Sequence, residues 1–384
     1  MARWLLPENI ADMLPREAAR VERLRRALVD LYRVRGFELV RPPLIEYVDS
    51  LLTGTGSDLD LRTFKLIDQA SGRMLGLRAD MTPQAARIDA HILNRAGVTR
   101  LCYAGPVLHA RPLHPLASRE PYVAGAELFG HSGREADAEI LKLAVASLRT
   151  AGVQRVHLDI GHTAVVRAII DSDPLAQAMR ADIYAALAAK DRSALDEAAV
   201  AVTPATRAAL GVLMGLYGSL EVIERARREL PALPALLAAL DQVEWLADCC
   251  GADETSFDFT DVHGYEYLTG VTFSAHVPQL ASAVLRGGRY DDIGCAFGRS
   301  RPATGFTVYL RELALLGHGG LPKAVVAPVG DEPELELGVA KLRALGEIVV
   351  QLLPGETVEG LADSFEFDRE LVPSADGWVL VTRQ

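Results

Sequence analysis

Residues 105–130 read GPVLHARPLHPLASREPYVAGAELFG. The two ends are apolar and strand-like. The second, Val123–Gly130, predicts a buried strand that carries one carboxylate, Glu127. Between the ends stand His109, Arg111, His114 and Arg119. The segment therefore predicts a hairpin, which commits the chain to a sheet, and its basic turn is suited to meeting an anion. The rest of the chain has material for a sizeable core around it. Its 384 residues, 49% of them hydrophobic, predict two or three domains.

No apolar run is long enough for a membrane span, and MARWLLPENI leads into an amphipathic helix, so no signal peptide is expected. Cys102, Cys249, Cys250 and Cys295 form no CxxC and share no zinc-ligand spacing with histidines. That predicts reduced thiols, a cytoplasmic location and no metal. A net charge of −11 without a long basic run argues against nucleic acid, whose phosphates call for clustered Lys and Arg.

Residues 17–35 place Val21, Leu24, Leu28, Leu31 and Val34 on one helical face, stopped by Gly36. GFELVRPPLIEY follows as an extended segment that Pro42 and Pro43 confine to an edge or interface. MLGLRADMT (74–82) reads as a strand. Residues 134–152 read as a helix with Ile140, Leu141, Ala144, Val145 and Leu148 inward, and VQRVHLDIGH as a half-buried strand. From about Val166 to Asp248 the chain is Ala- and Leu-rich and punctuated by prolines, which predicts several short helices. Strand character returns at 257–276. LRGGRYDDIGCAFG reads as turn-rich, and 301–316 starts as a strand and ends as a helix. After HGGLPKAVV, the tail reads as a small β-α-β-type domain. The domains expected are a core in two pieces (1–165 and 250–318), a helical insertion (166–249) and a C-terminal α/β domain (319–384).

In this order the elements resemble class II aminoacyl-tRNA synthetases, and specifically histidyl-tRNA synthetase. GFELVRPPLIEY is similar to that family's motif 1 and RLCYAGPVLHARPLHPLASREPYVAGAELFG to its motif 2. VHGYEYLTG and GGRYDD are similar to its two histidine-recognition signatures, and PATGFTVYLREL to its motif 3. The resemblance covers about residues 7–317. It implies an α+β fold: an antiparallel sheet with flanking helices, a helical insertion and a reduced, anticodon-binding-like C-terminal domain.

Within that frame the phosphate-binding arginines are replaced. His109 stands at the motif 2 arginine, Arg111 at the glutamate two residues on, Glu312 at the motif 3 arginine and His263 at the arginine of the first histidine signature. Adenylate formation needs fixed cations on the phosphates. A neutral imidazole offers one weaker contact and no bidentate fork. A carboxylate at Glu312 opposes a phosphate, on the order of 4 kcal/mol at about 4 Å in a surface-like dielectric. Arg111 and Arg311 lie close enough to raise a one-residue slip. On a strand such a slip turns the side chain to the other face, and on a helix it rotates it by about 100°.

The amino-acid half of the site is better kept. Asp80 and Thr82 stand in LRADMT, Glu127 at the end of motif 2, and Tyr267 and Tyr290 in the two histidine signatures. Carboxylates suit an α-ammonium, and tyrosines hydrogen-bond or stack on an imidazole. Val123 and Leu268 replace polar or aromatic positions of the synthetase pocket. From the residues alone, Glu127 is open to a structural pairing with Arg119, and His91, His157 and His276 to ordinary surface roles.

This pattern, with LRADMTPQAARI, resembles the regulatory-subunit branch of ATP phosphoribosyltransferase. The resemblance implies a non-catalytic chain without a cofactor, acting in the first step of histidine biosynthesis. Its expected partners are a short-form ATP phosphoribosyltransferase catalytic subunit, histidine as effector, and a second copy in a homodimer within a hetero-oligomer. Neither tRNA nor membrane is expected. The candidate histidine site is Asp80, Thr82, Glu127, Tyr267 and Tyr290. The degenerate nucleotide site is His109, Arg111, His263 and Glu312. Two alternatives stay open: an active histidyl-tRNA synthetase, opposed by His109, His263, Glu312 and the short tail, and a synthetase-derived protein that binds another ligand.

Overall fold

The amphipathic run near the start of the chain forms helix Pro15–Arg33. Proline lies in its first turn, Glu17 near its positive end, and Val21, Leu28 and Tyr32 are buried. Gly36, at φ +82°, then turns the chain in a conformation that a side chain would resist. The computed structural model describes residues 4–54, 57–261, 267–280, 282–316, 320–375 and 377–383. Two units emerge, Met1–Gly317 and His318–Gln384. Among the described residues no helix is long and apolar enough to cross a membrane.

The first unit contains β1 (Glu38–Leu39), β2 (Ile45–Tyr47), β3 (Phe64–Ile67), β4 (Met74–Leu77), β5 (Thr99–Pro106) and β6 (Tyr122–Phe129). It continues with β7 (His157–His162), β8 (Tyr217–Gly218), β9 (Glu254–Asp258), β10 (Val271–His276), β11 (Leu285–Arg289) and β12 (Ala303–Tyr309). Nine of them form one sheet in the order β1-β5-β6-β12-β11-β10-β7-β9-β8. Its centre, from β5 to β7, is antiparallel. The flanks are joined by parallel pairs, β1 with β5 and β9 with β7. β2, β4 and β3 form a separate small sheet.

Alternation along each strand separates two faces. Ala124, Ala126 and Leu128 of β6, Leu158 and Ile160 of β7, and Phe306 and Val308 of β12 enter the main core. There they meet Leu28 and Tyr32 of the first helix and Ile140, Leu141 and Leu148 of helix Arg134–Thr150. Each large aliphatic or Phe side chain among them contributes roughly 1.5–3 kcal/mol by leaving water. The opposite face carries Leu101, Tyr103, Val123, Phe129 and Ala303. It is covered at one end by Met81, Ala85, Leu268, Tyr290 and Ile293 and is open beyond.

The helices between β7 and β9 run from Thr163–Asp171 to Pro234–Cys249. Pro174, Pro204 and Pro234 start helices there, where a missing N–H costs nothing, so the prolines punctuate by initiation. LRGGRYDD departs from its turn-rich reading. Leu285–Arg289 is a central strand paired on both sides. Its glycines are there because of close packing. A Cβ on Gly287 would strike the Phe273 ring and the Gly305 carbonyl, and one on Gly288 the Val271 carbonyl. The 257–276 run is not one strand but the end of β9 and the whole of β10. Most of VHGYEYLTG, including His263, lies outside the described residues.

In the second unit β13 (Lys323–Ala327), helix Pro333–Ala344 and β14 (Val349–Gln351) form a parallel β-α-β turn. β15 (Glu366–Ser374) and β16 (Gly377–Thr382) complete a sheet in the order β14-β13-β15-β16.

Candidate functional site

Register across the sheet sets the site. Glu127 stands opposite Gly305, Gly305 opposite Gly288, Gly288 opposite Thr272, and Thr272 opposite Gly161. Two residues along runs a second row: Tyr103, Gly125, Thr307, Arg286, Ser274 and Asp159. Both rows lie on the open face. The glycines keep it flat. A Cβ on Gly305 would collide with the Glu127 carboxylate and one on Gly125 with the Tyr103 ring. Above this floor lies a cleft of about 520 Å³.

Glu127 is 1% exposed. Its Oε1 accepts from Tyr103 Oη at 2.9 Å and from Thr82 Oγ1 at 3.1 Å, and its Oε2 accepts from Tyr290 Oη. Because Tyr103 spends its proton on Glu127, Thr307 Oγ1, 3.0 Å away, is the donor to Tyr103. Among the described residues no cation pairs with Glu127. Burial accordingly pushes its carboxyl up to about 8. The Tyr290 and Tyr103 hydroxyls pull it back, and nearby Asp80 adds to the rise. Asp80 accepts from the Thr82 backbone N–H at 2.9 Å, at the start of helix Thr82–Arg87. Tyr267 borders the cleft, its hydroxyl pushed up by burial and further by Asp80.

Asp80, Thr82, Glu127, Tyr267 and Tyr290 thus line one cleft. Tyr103 and Thr307 belong with them and escape sequence reading, because a tyrosine in a strand reads as core. The one available signal is Gly125, which clears space for the ring. Glu127 does not pair with Arg119. That guanidinium donates to the carbonyls of His109 and Glu8, at 3.0 and 3.3 Å, and stacks on Phe64.

Of the former nucleotide residues that are described, His109 and Glu312 border the cleft and Arg111 does not. His109 is buried, with Nε2 3.1 Å from the Ala79 carbonyl, so its imidazole braces the segment that leads into Asp80. Arg111 is exposed on the hairpin connection and does not line the cleft. Glu312 does line it. Its carboxyl is pushed up mainly by burial, and its Oε2 has no hydrogen-bond partner among the described residues. The neighbouring Arg311 is committed elsewhere, to Glu17 at 2.5 Å. The described lining sets six carboxylates (Asp80, Glu127, Asp159, Asp258, Asp261, Glu312) against two guanidiniums, Arg62 and Arg286. Such a surface favours an ammonium and disfavours a triphosphate.

Two families match successive parts of the chain. The one described as Histidyl-tRNA synthetase matches residues 9–313, and the one described as ATP phosphoribosyltransferase subunit HisZ C-terminal domain matches residues 322–381. ATP phosphoribosyltransferase regulatory subunits of Ralstonia pickettii and Bordetella pertussis are 51% and 54% identical to it. The alignments cover 99% and 100% of this chain and 98% and 100% of those proteins. The chain belongs to the ATP phosphoribosyltransferase regulatory subunit family. A solved structure described as an ATP phosphoribosyltransferase regulatory subunit/histidyl-tRNA synthetase from Bacillus halodurans is similar with a TM-score of 0.81. It is 28% identical and covers 96% of this chain and 98% of that one. Histidyl-tRNA synthetase from Nostoc sp. PCC 7120 shares the fold, with a TM-score of 0.77 at 17% identity, over 100% of this chain and 97% of that one. The class II synthetase-like α+β fold is as the sequence implies. Membership of a regulatory-subunit family sets aside the aminoacylating alternative.

Proposed function

We propose that this regulatory subunit activates a short-form ATP phosphoribosyltransferase catalytic subunit and transmits feedback by histidine, reading the free amino acid in the Glu127 cleft. The observation that supports this is a buried carboxylate ringed by three hydroxyl donors and, among the described residues, paired with no cation. An ionised carboxylate without a cation is costly to bury, and an arriving α-ammonium removes that cost. Tyr290, which donates to Glu127, and Tyr267 border the same cleft and offer rings to the ligand's side chain. The carboxylate-rich lining, with a carboxylate at Glu312 in place of a phosphate-binding arginine, supports loss of nucleotide chemistry.

Charge-assisted hydrogen bonds contribute roughly 1.5–3 kcal/mol, so Glu127→Gln should weaken histidine binding by about tenfold or more with the fold intact. Calorimetry on both proteins reads this, and equal affinities would remove the site assignment. Phosphoribosyltransferase activity of the catalytic subunit, with and without this chain and with histidine added, tests activation and feedback. Feedback requires histidine to bind the active and inactive complexes differently. Unchanged inhibition despite weakened binding would move the sensor to the catalytic partner.

A further inference from the structure

We infer that Arg286 is the carboxylate anchor of the cleft, so that the site reads a free amino acid at both charged ends. The inference rests on the histidine reading of the same cleft. Of the described lining residues two carry a guanidinium. Arg62 ends helix Ser57–Arg62, beside Tyr267. Arg286 rises from the floor itself, in the row next to Glu127, opposite Thr307 on one side and Ser274 on the other.

Glu127 and Arg286 are separated by two strand spacings and two residues, about 12 Å between Cα atoms at ~4.8 Å per strand and ~3.4 Å per residue. Between them lie Gly305 and Gly288, which contribute no side chain. The two side chains reach over this floor from opposite sides, and the gap they leave suits the ammonium-and-carboxylate end of one amino acid lying flat. Arg286 is free to serve. Its ion pair is with Asp261 at 3.6 Å, and the two side chains are 43% and 30% exposed. A pair that loose and solvated is worth little, whereas a carboxylate offers a guanidinium two parallel hydrogen bonds. An aminoacyl adenylate has no free carboxylate, its carboxyl being tied to phosphate. Arg286 therefore selects the unactivated amino acid, which is what a sensor must count.

The full chain is titrated calorimetrically with L-histidine and with L-histidinol, which keeps the ammonium and imidazole and replaces the carboxylate with CH2OH. Wild type should prefer histidine by about tenfold or more, as expected for a charge-assisted pair. Arg286→Gln should weaken histidine by a similar factor and leave histidinol within about twofold, while Glu127→Gln weakens both. Arg286→Lys should keep part of the preference, since it retains the charge without the fork. If Arg286→Gln leaves the preference intact, or lowers both affinities equally, the anchor assignment falls and the histidine reading stands. If wild type binds neither compound, both fall.

Discussion

Burial raises the Glu127 carboxyl from an ordinary 4.5 to about 8, although three hydroxyls donate to it. The folded chain therefore keeps a proton over a range where the unfolded chain has released one. The stability this gives is full below about pH 4.5 and is lost as the pH rises through about 8. Each unit inside that window removes at most about 1.4 kcal/mol. Buried His162, its imidazole lowered to about 4, acts in the opposite sense on the acid side, so the informative quantity is a difference between proteins. The ligand-free wild type should lose melting temperature relative to Glu127→Gln as the pH climbs through the window. Parallel melting curves would show that Glu127 is not the group responsible. A bound ammonium lowers the carboxyl's pKa again. At about pH 7 histidine binding should therefore release close to one proton, seen as a binding heat that changes with the buffer's ionisation heat. Glu127→Gln should release none.

Among elements, the small sheet β2-β4-β3 leaves apolar side chains exposed. Ile67 and Met74 pair across β3 and β4 and are 68% and 52% exposed, with Ile45 and Leu66 nearby on the same sheet. Apolar strands left this open call for a cover, and we propose that a second copy of the chain supplies it. Light scattering should give a dimer or larger. Ile67→Lys with Met74→Glu, an exchange that keeps a favourable cross-strand pair, should raise the dissociation constant by about tenfold or more. An unchanged oligomer would place the contact elsewhere. Elements of this kind also show what a sequence can convey. The helix Pro15–Arg33 and the hairpin β5-β6 were legible because period and local turn chemistry decide them. Leu285–Arg289 was not, because its glycines answer to Phe273 and Gly305, neighbours that only the folded sheet brings close. The same holds in the site. Glu127, Asp80 and Thr82 sit in recognisable motifs, whereas Tyr103 and Thr307 join them through register. Arg111 is carried into solvent by the hairpin connection, which no local pattern in the sequence reveals.

The whole first unit keeps the class II synthetase-like sheet while lining its cleft with more carboxylates than guanidiniums, and this belongs to no single residue. With six carboxylates against two guanidiniums in the described lining, the purified chain should show no histidine-dependent ATP–pyrophosphate exchange. Activity at even a few per cent of an authentic synthetase would contradict that. The strand order has another consequence, for the chain as it is made. β6 obtains β5 at once, but its other neighbour, β12, begins only at Ala303, after the entire run of helices from Thr163 to Cys249. From Phe129 to Ala303, at 5–20 residues per second, the wait is roughly nine to thirty-five seconds of translation. Throughout it the apolar edge of Tyr122–Phe129, with Glu127 in it, waits unpaired. The last strand to arrive both closes the sheet and completes the floor of the cleft.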